Sequence, residues 1–98
     1  MDRIHHIALS VPDIGRATAW YRGQFDVATL YEDKTWALLE FDNIALALVL
    51  PDKNLPHFAV LCDNPEAYGP LTKHRNGTAS VYVRDPWGNA IEIMKADE

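Results

Sequence analysis

The residues with the most chemistry to offer in this sequence are His6, His57 and Glu92. Imidazoles and carboxylates are the side chains that carry protons near neutral pH and ligate divalent metals. Glu92 stands between Ile91 and Ile93, just after the run Asp85-Pro86-Trp87-Gly88-Asn89-Ala90. Asp-Pro-x-Gly is a tight turn, in which Pro fixes φ after the Asp and Gly supplies the φ > 0 position. Ser80-Val81-Tyr82-Val83 precedes it and Ala90-Ile91-Glu92-Ile93-Met94 follows, so the turn predicts a β-hairpin with Glu92 on its second strand. Glu is depleted in strands and costly to bury unpaired. It must either face water or meet a positive partner inside.

The elements that position these residues read as a repeat. Residues 4–11 predict a strand with Ile7, Leu9 and Val11 on one face and His6, Ala8 and Ser10 on the other. Pro12 ends it, and Asp13 is an N-cap for a helix over 14–22, with Ile14, Ala17 and Tyr21 on its apolar side and Gly23 at its C-terminal cap. Strands over 27–31, 35–41 and 44–50 complete a β-α-β-β-β module. The pattern then restarts: His57-Phe58-Ala59-Val60 parallels His6-Ile7-Ala8-Leu9, and Asn64-Pro65-Glu66-Ala67-Tyr68 opens a second helical stretch. A short strand near 73–75 and the hairpin 79–95 make the second module an abbreviated copy. The expected organisation is one domain over 1–98: module one 1–50, a Pro-bounded linker 51–56, and module two 57–98. His6, His57 and Glu92 share their faces with Ala8, Ala59 and Ala90. The opposite faces, rich in Ile, Leu, Val and Phe, are expected to pack under the helices.

Composition narrows the function classes. Ninety-eight residues with 48% hydrophobic content predict a single small globular domain. A net charge of −5 and a pI near 5.2 argue against nucleic-acid or membrane partners. The one cysteine, Cys62, excludes an internal disulfide and fits a reducing cytoplasm. No signal-peptide layout opens the chain, and the longest apolar run, 44–50, is too short to span a bilayer.

The chain resembles the vicinal oxygen chelate superfamily, which includes glyoxalase I, fosfomycin-resistance proteins, extradiol dioxygenases and bleomycin-resistance proteins. The resemblance rests on H-H-I-A-L-S-V-P-D-I followed by A-x-x-W-Y, on P-H-F-A-V, and on V-Y-V-R-D-P-W-G-N-A-I-E-I. It implies an α+β fold whose two β-α-β-β-β modules form a curved, half-open barrel-like mixed sheet with helices outside. It also implies ligands from the first and last strands of the modules, which are here His6, His57 and Glu92. Two histidines and a carboxylate suit one divalent ion (Fe, Mn, Ni or Zn) with open coordination positions. A single strand histidine is commonly structural, but three such residues at corresponding repeat positions favour a metal site.

Glyoxalase-type members carry a fourth ligand on the last strand of module one. Aligning Asn43 with Asn89 sets Leu46 opposite Glu92, and a one-residue slip offers only Ala45 or Ala47. The expected function is therefore that of a metal-dependent enzyme that chelates a small oxygen-bearing substrate, with dioxygenase-like or transferase/lyase-like chemistry. The alternative is a metal-free small-molecule or drug-sequestering protein of the bleomycin-resistance type. Tyr82, ten residues before Glu92, matches a Tyr that dioxygenases and fosfomycin-resistance proteins place beside the metal, and could hydrogen-bond a substrate oxygen. His5 is expected on the opposite face, His74 in an exposed polar loop where it could carry a proton, and Cys62 in the core. Trp20, Trp36 and Trp87 are read as core or interface residues. The short second module leaves apolar sheet surface uncovered, so a homodimer is expected, with Trp36 and Trp87 as candidates for burial between subunits.

Overall fold

The first strand, β1 (Arg3–Ser10), gives way to helix at Pro12, whose missing N–H cannot continue a ladder. Asp13 then holds an extended backbone while its carboxylate accepts the Arg16 N–H at 2.9 Å, which caps helix α1 (Ile14–Gln24). After it come β2 (Ala28–Glu32), β3 (Trp36–Glu40), β4 (Ala45–Val49), β5 (His57–Cys62), a 3-10 helix (Pro65–Tyr68), β6 (Thr72–Lys73), β7 (Ala79–Arg84) and β8 (Ala90–Lys95). The computed structural model describes residues 1–74 and 78–96. The fold is α+β, a mixed sheet in the hydrogen-bonded order β2-β3-β4-β1-β5-β8-β7-β6 with one α-helix among the described residues. No helix among them is long and apolar enough to cross a membrane. Two compact units divide the chain, residues 6–56 and residues 1–5 with 57–98.

In the unit 6–56, β4 runs parallel to β1 and antiparallel to β3, and β2 pairs with β3. Helix α1 packs on β3 and β4. Ile14, Ala37, Leu39 and Leu48 form the core beneath it, joined by Val11, Ala17, Tyr21 and Leu46. The other face of the same strands buries Ala8, Ala47 and Val49 against Trp36 and Leu38. Two expectations change here. Helix α1 runs through Gly23 and is closed by Phe25, whose N–H reaches the Tyr21 carbonyl at 2.9 Å. Phe25 is held there by Tyr21 at 6.3 Å and Phe41 at 5.9 Å between ring centroids, so aromatic packing carries the helix past the glycine. Ile7 and Leu9 lie on the helix-facing side, yet remain 42% and 39% exposed. A helix roughly 10–12 Å wide covers about two strands at about 4.8 Å spacing, and α1 spends that width on β3 and β4.

In the other unit, β8 lies parallel to β5 and antiparallel to β7, and β6 adds to β7. The 3-10 helix, one turn where a longer helix would repeat α1, buries Pro65 and packs on β7 and β8. The short strand is Thr72–Lys73, and the Arg75 end of its expected range lies outside the described residues. The β7–β8 turn is built as its residues require. Asp85 Oδ1 accepts the N–H groups of Trp87 and Asn89, both at 2.9 Å, and Oδ2 accepts Asn89 Nδ2 at 2.8 Å. The Asn89 side chain foremost, then its backbone N–H, holds the Asp85 carboxyl below the ordinary carboxylate range. Gly88 takes φ +89°, which L side chains rarely adopt.

The two hairpins differ by one residue. Phe41 and Ile44 close a two-residue loop, Asp42-Asn43, at 3.0 Å, whereas Asp85 and Asn89 close the three-residue Pro86-Trp87-Gly88, also at 3.0 Å. Loop length sets strand register, and register decides which side chains reach a given face.

Candidate functional site

Glu92 is delivered by the register of β8. Its neighbours across the ladder are Ala59 on β5 and Tyr82 on β7, while His57 sits beside Ala90. The alanines leave room that larger side chains would fill. Glu92 is buried to 4% exposure, His57 to 8% and His6, on β1, to 7%. His57 Nε2 lies 3.1 Å from Glu92 Oε1, so the carboxylate does meet a partner inside. His6, His57 and Glu92, all three buried, each offer one ligand-type atom. Two imidazoles and one carboxylate are donor types suited to a divalent first-row ion.

Tyr82 stands edge-on to His57, with ring centroids 5.4 Å apart and an interplanar angle of 88°. It is partly exposed, so its ring borders the buried group from the solvent side. His74 departs from expectation. Its side chain is only 27% exposed, and its Nε2 lies 3.4 Å from Glu92 Oε2 and 2.6 Å from Ser80 Oγ. Ser80, His74 and Glu92 are not a nucleophilic triad, because both contacts converge on the same nitrogen and Ser80 is fully buried. Ser80 was readable in principle, since it shares a strand face with Tyr82. His74 was not, because its approach depends on a chain reversal that no local pattern encodes.

The same strands in unit 6–56 lack the acid. His6 pairs with Ala45 as His57 pairs with Ala90, so Ala47 is the repeat equivalent of Glu92. This corrects the alignment on Leu46 by one residue, the residue by which the two hairpin loops differ. Leu46 belongs to the core beneath α1, whereas Ala47 shares a cluster with Ala8, and Leu38 occupies the place of Tyr82.

Elsewhere, Cys62 and His5 are half-buried, and Cys62 is therefore less enclosed than its composition suggests. Trp36 is half-buried within its own unit, stacked on Tyr31 at 4.4 Å, while Trp20 and Trp87 are exposed. The Asp33 carboxyl, on the loop before Trp36, is held well below its usual range by hydrogen bonds from the Tyr31 and Thr35 side chains, a hairpin device with no link to the site.

No family model matches the sequence, and no curated protein matches it. Solved structures do. A hypothetical protein from Bacillus halodurans superposes with a TM-score of 0.80 at 15% identity, over 99% of this chain and 96% of that one. A glyoxalase/bleomycin resistance protein/dioxygenase superfamily member from Vibrio splendidus gives 0.70 at 14% identity, over 98% and 100%. An NAD-dependent benzaldehyde dehydrogenase from Legionella pneumophila gives 0.71 at 12% identity, over 94% and 98%. The chain thus has the vicinal oxygen chelate fold. At such identities the likeness describes architecture and leaves chemistry to the residues.

Proposed function

We propose that this fold carries a metal-dependent enzyme in which His6, His57 and Glu92 hold one divalent first-row ion and a small substrate presents two neighbouring oxygens. The burial of all three donors, with His57 Nε2 3.1 Å from Glu92 Oε1, is the observation that supports this most directly. The ion, when bound, supplies Lewis acidity toward the substrate oxygens. The rest falls to the chain. His57 and Glu92 are held in register by β5 and β8, and the burial around them excludes water. The Tyr82 hydroxyl is the group assigned to hydrogen-bond a substrate oxygen. With Ala47 at the fourth ligand's position, the site favours dioxygenase-like or transferase/lyase-like chemistry over glyoxalase activity.

Protein incubated with Fe(II), Mn(II), Ni(II) or Zn(II) and then desalted is expected to keep about one equivalent. Retention below about a tenth of an equivalent of all four would leave the metal-free, drug-sequestering alternative as the better reading. Brisk turnover of a methylglyoxal–glutathione hemithioacetal, abolished by Glu92→Ala, would reverse the ordering of chemistries.

The exposed Ile7 and Leu9 support a second part of the proposal, that the chain works as a cytoplasmic homodimer that covers them. Sedimentation equilibrium at micromolar concentration is expected to give twice the 11.1 kDa monomer mass; the monomer mass itself would reject the dimer.

A further inference from the structure

We propose that His74 is a positioning residue for Glu92, gripping the carboxylate oxygen that His57 does not. The inference rests on the metal-site reading above. Glu92 Oε1 faces His57 Nε2 at 3.1 Å, and Oε2 faces His74 Nε2 at 3.4 Å. The terminal torsion of a Glu side chain is broad, so a carboxylate held at one oxygen can swivel. A contact at the second oxygen fixes the plane in which its remaining lone pairs point.

His74 Nε2 stands 3.4 Å from Glu92 Oε2, within ion-pair distance of the carboxylate, and makes its hydrogen bond to Ser80. Ser80 Oγ, 2.6 Å from that nitrogen, hydrogen-bonds to it and sets the tilt of the ring. Ser80 is fully buried on β7, and β7 is pinned to β8 through Ser80 opposite Met94 and Tyr82 opposite Glu92. Tyr82 meets the His74 ring edge-on at 6.2 Å and 88°, as it meets His57, which restricts rotation of both imidazoles. The His74 backbone N–H is tied to the Thr78 carbonyl at 2.8 Å. A ring fixed at backbone, nitrogen and face is built to hold something, and what it holds is the one carboxylate of the donor group. Carboxylate ligands are commonly oriented by outer polar partners, whose loss weakens metal binding about 10–100-fold.

The test uses Co(II) as the probe, read by chelator competition and by its visible spectrum, on wild type, His74→Ala, His74→Gln and Ser80→Ala. His74→Ala is expected to weaken Co(II) binding about tenfold or more and to shift the spectrum. His74→Gln, whose amide N–H can reach the same oxygen, is expected to recover most of both. Ser80→Ala is expected to shift the spectrum with a smaller loss of affinity. Wild type that binds no Co(II) overturns the metal reading and this inference with it. Wild-type affinity and spectrum in His74→Ala overturn the positioning role alone, as does a failure of Gln to recover what Ala loses. Should His74→Ala not fold, the Gln and Ser80 variants carry the decision, and weak binding in the first or an unchanged spectrum in the second overturns it.

Discussion

Glu92→Gln is expected to fold and to lose metal binding by about a hundredfold or more, since it removes the only anionic donor of the group. Gln preserves volume and offers one acceptor, but its NH₂ must face whichever imidazole the oxygen does not. Because His57 and His74 each present Nε2 to a different Glu92 oxygen, one of them has to turn a lone pair toward the amide. That tautomer shift is cheap beside the loss of a charged ligand, so stability should change little. Glu92→Ala is different. It removes the carboxylate that buried His57 faces at 3.1 Å, and is expected to cost about 1–3 kcal/mol in addition to the metal site. Chelator competition and thermal melting of the two variants, with and without metal, separate these effects. Wild-type affinity in Glu92→Gln would show that the carboxylate is not a ligand.

Ala47→Glu is expected to do the reverse and give the site a fourth protein ligand. His6 stands to Ala47 on β1 and β4 as His57 stands to Glu92 on β5 and β8. Ala47 is nearly inaccessible, packed with Ala8, Val49, Trp36 and Leu38. A carboxylate placed there without a metal carries a desolvation penalty of about several kcal/mol, so the metal-free variant should melt well below wild type. Metal should then raise its melting temperature by more than it raises that of wild type, because binding to the folded state alone adds stability in proportion to the logarithm of affinity. Substrate turnover should fall as a coordination position closes. An equal metal-induced shift in variant and wild type would place Ala47 outside the reach of the ion.

The parts of this molecule that the sequence declared were those written in short-range chemistry. Asp13 announced a helix start, the Asp-Pro-Trp-Gly run announced its turn, and the alternation around His6, His57 and Glu92 announced which residues share a face. What it hid depends on distant partners. Gly23 looked like a helix stop until Phe25 found Tyr21 and Phe41. Ile7 and Leu9 looked like core because their pattern is apolar, but covering them requires a helix wide enough to reach β1. Matching Asn43 to Asn89 sets Leu46 opposite Glu92 because it ignores a loop one residue shorter, and the one-residue slip to Ala47 is the register the strands adopt. His74 is the largest omission, a residue in a polar stretch that turns out to touch the buried acid.

The three-residue loop between Asp85 and Asn89 has a genetic consequence. Its length is the address of the acid: with one residue fewer, as in the loop at Asp42-Asn43, the pleat of β8 would present an isoleucine where Glu92 now meets His57. The same slip would turn Glu92 onto the face where Ile93 now meets Val81, so the change costs stability as well as the acid. Loss of a single codon in this turn would therefore silence the site, and its insertion elsewhere in such a fold could switch one on.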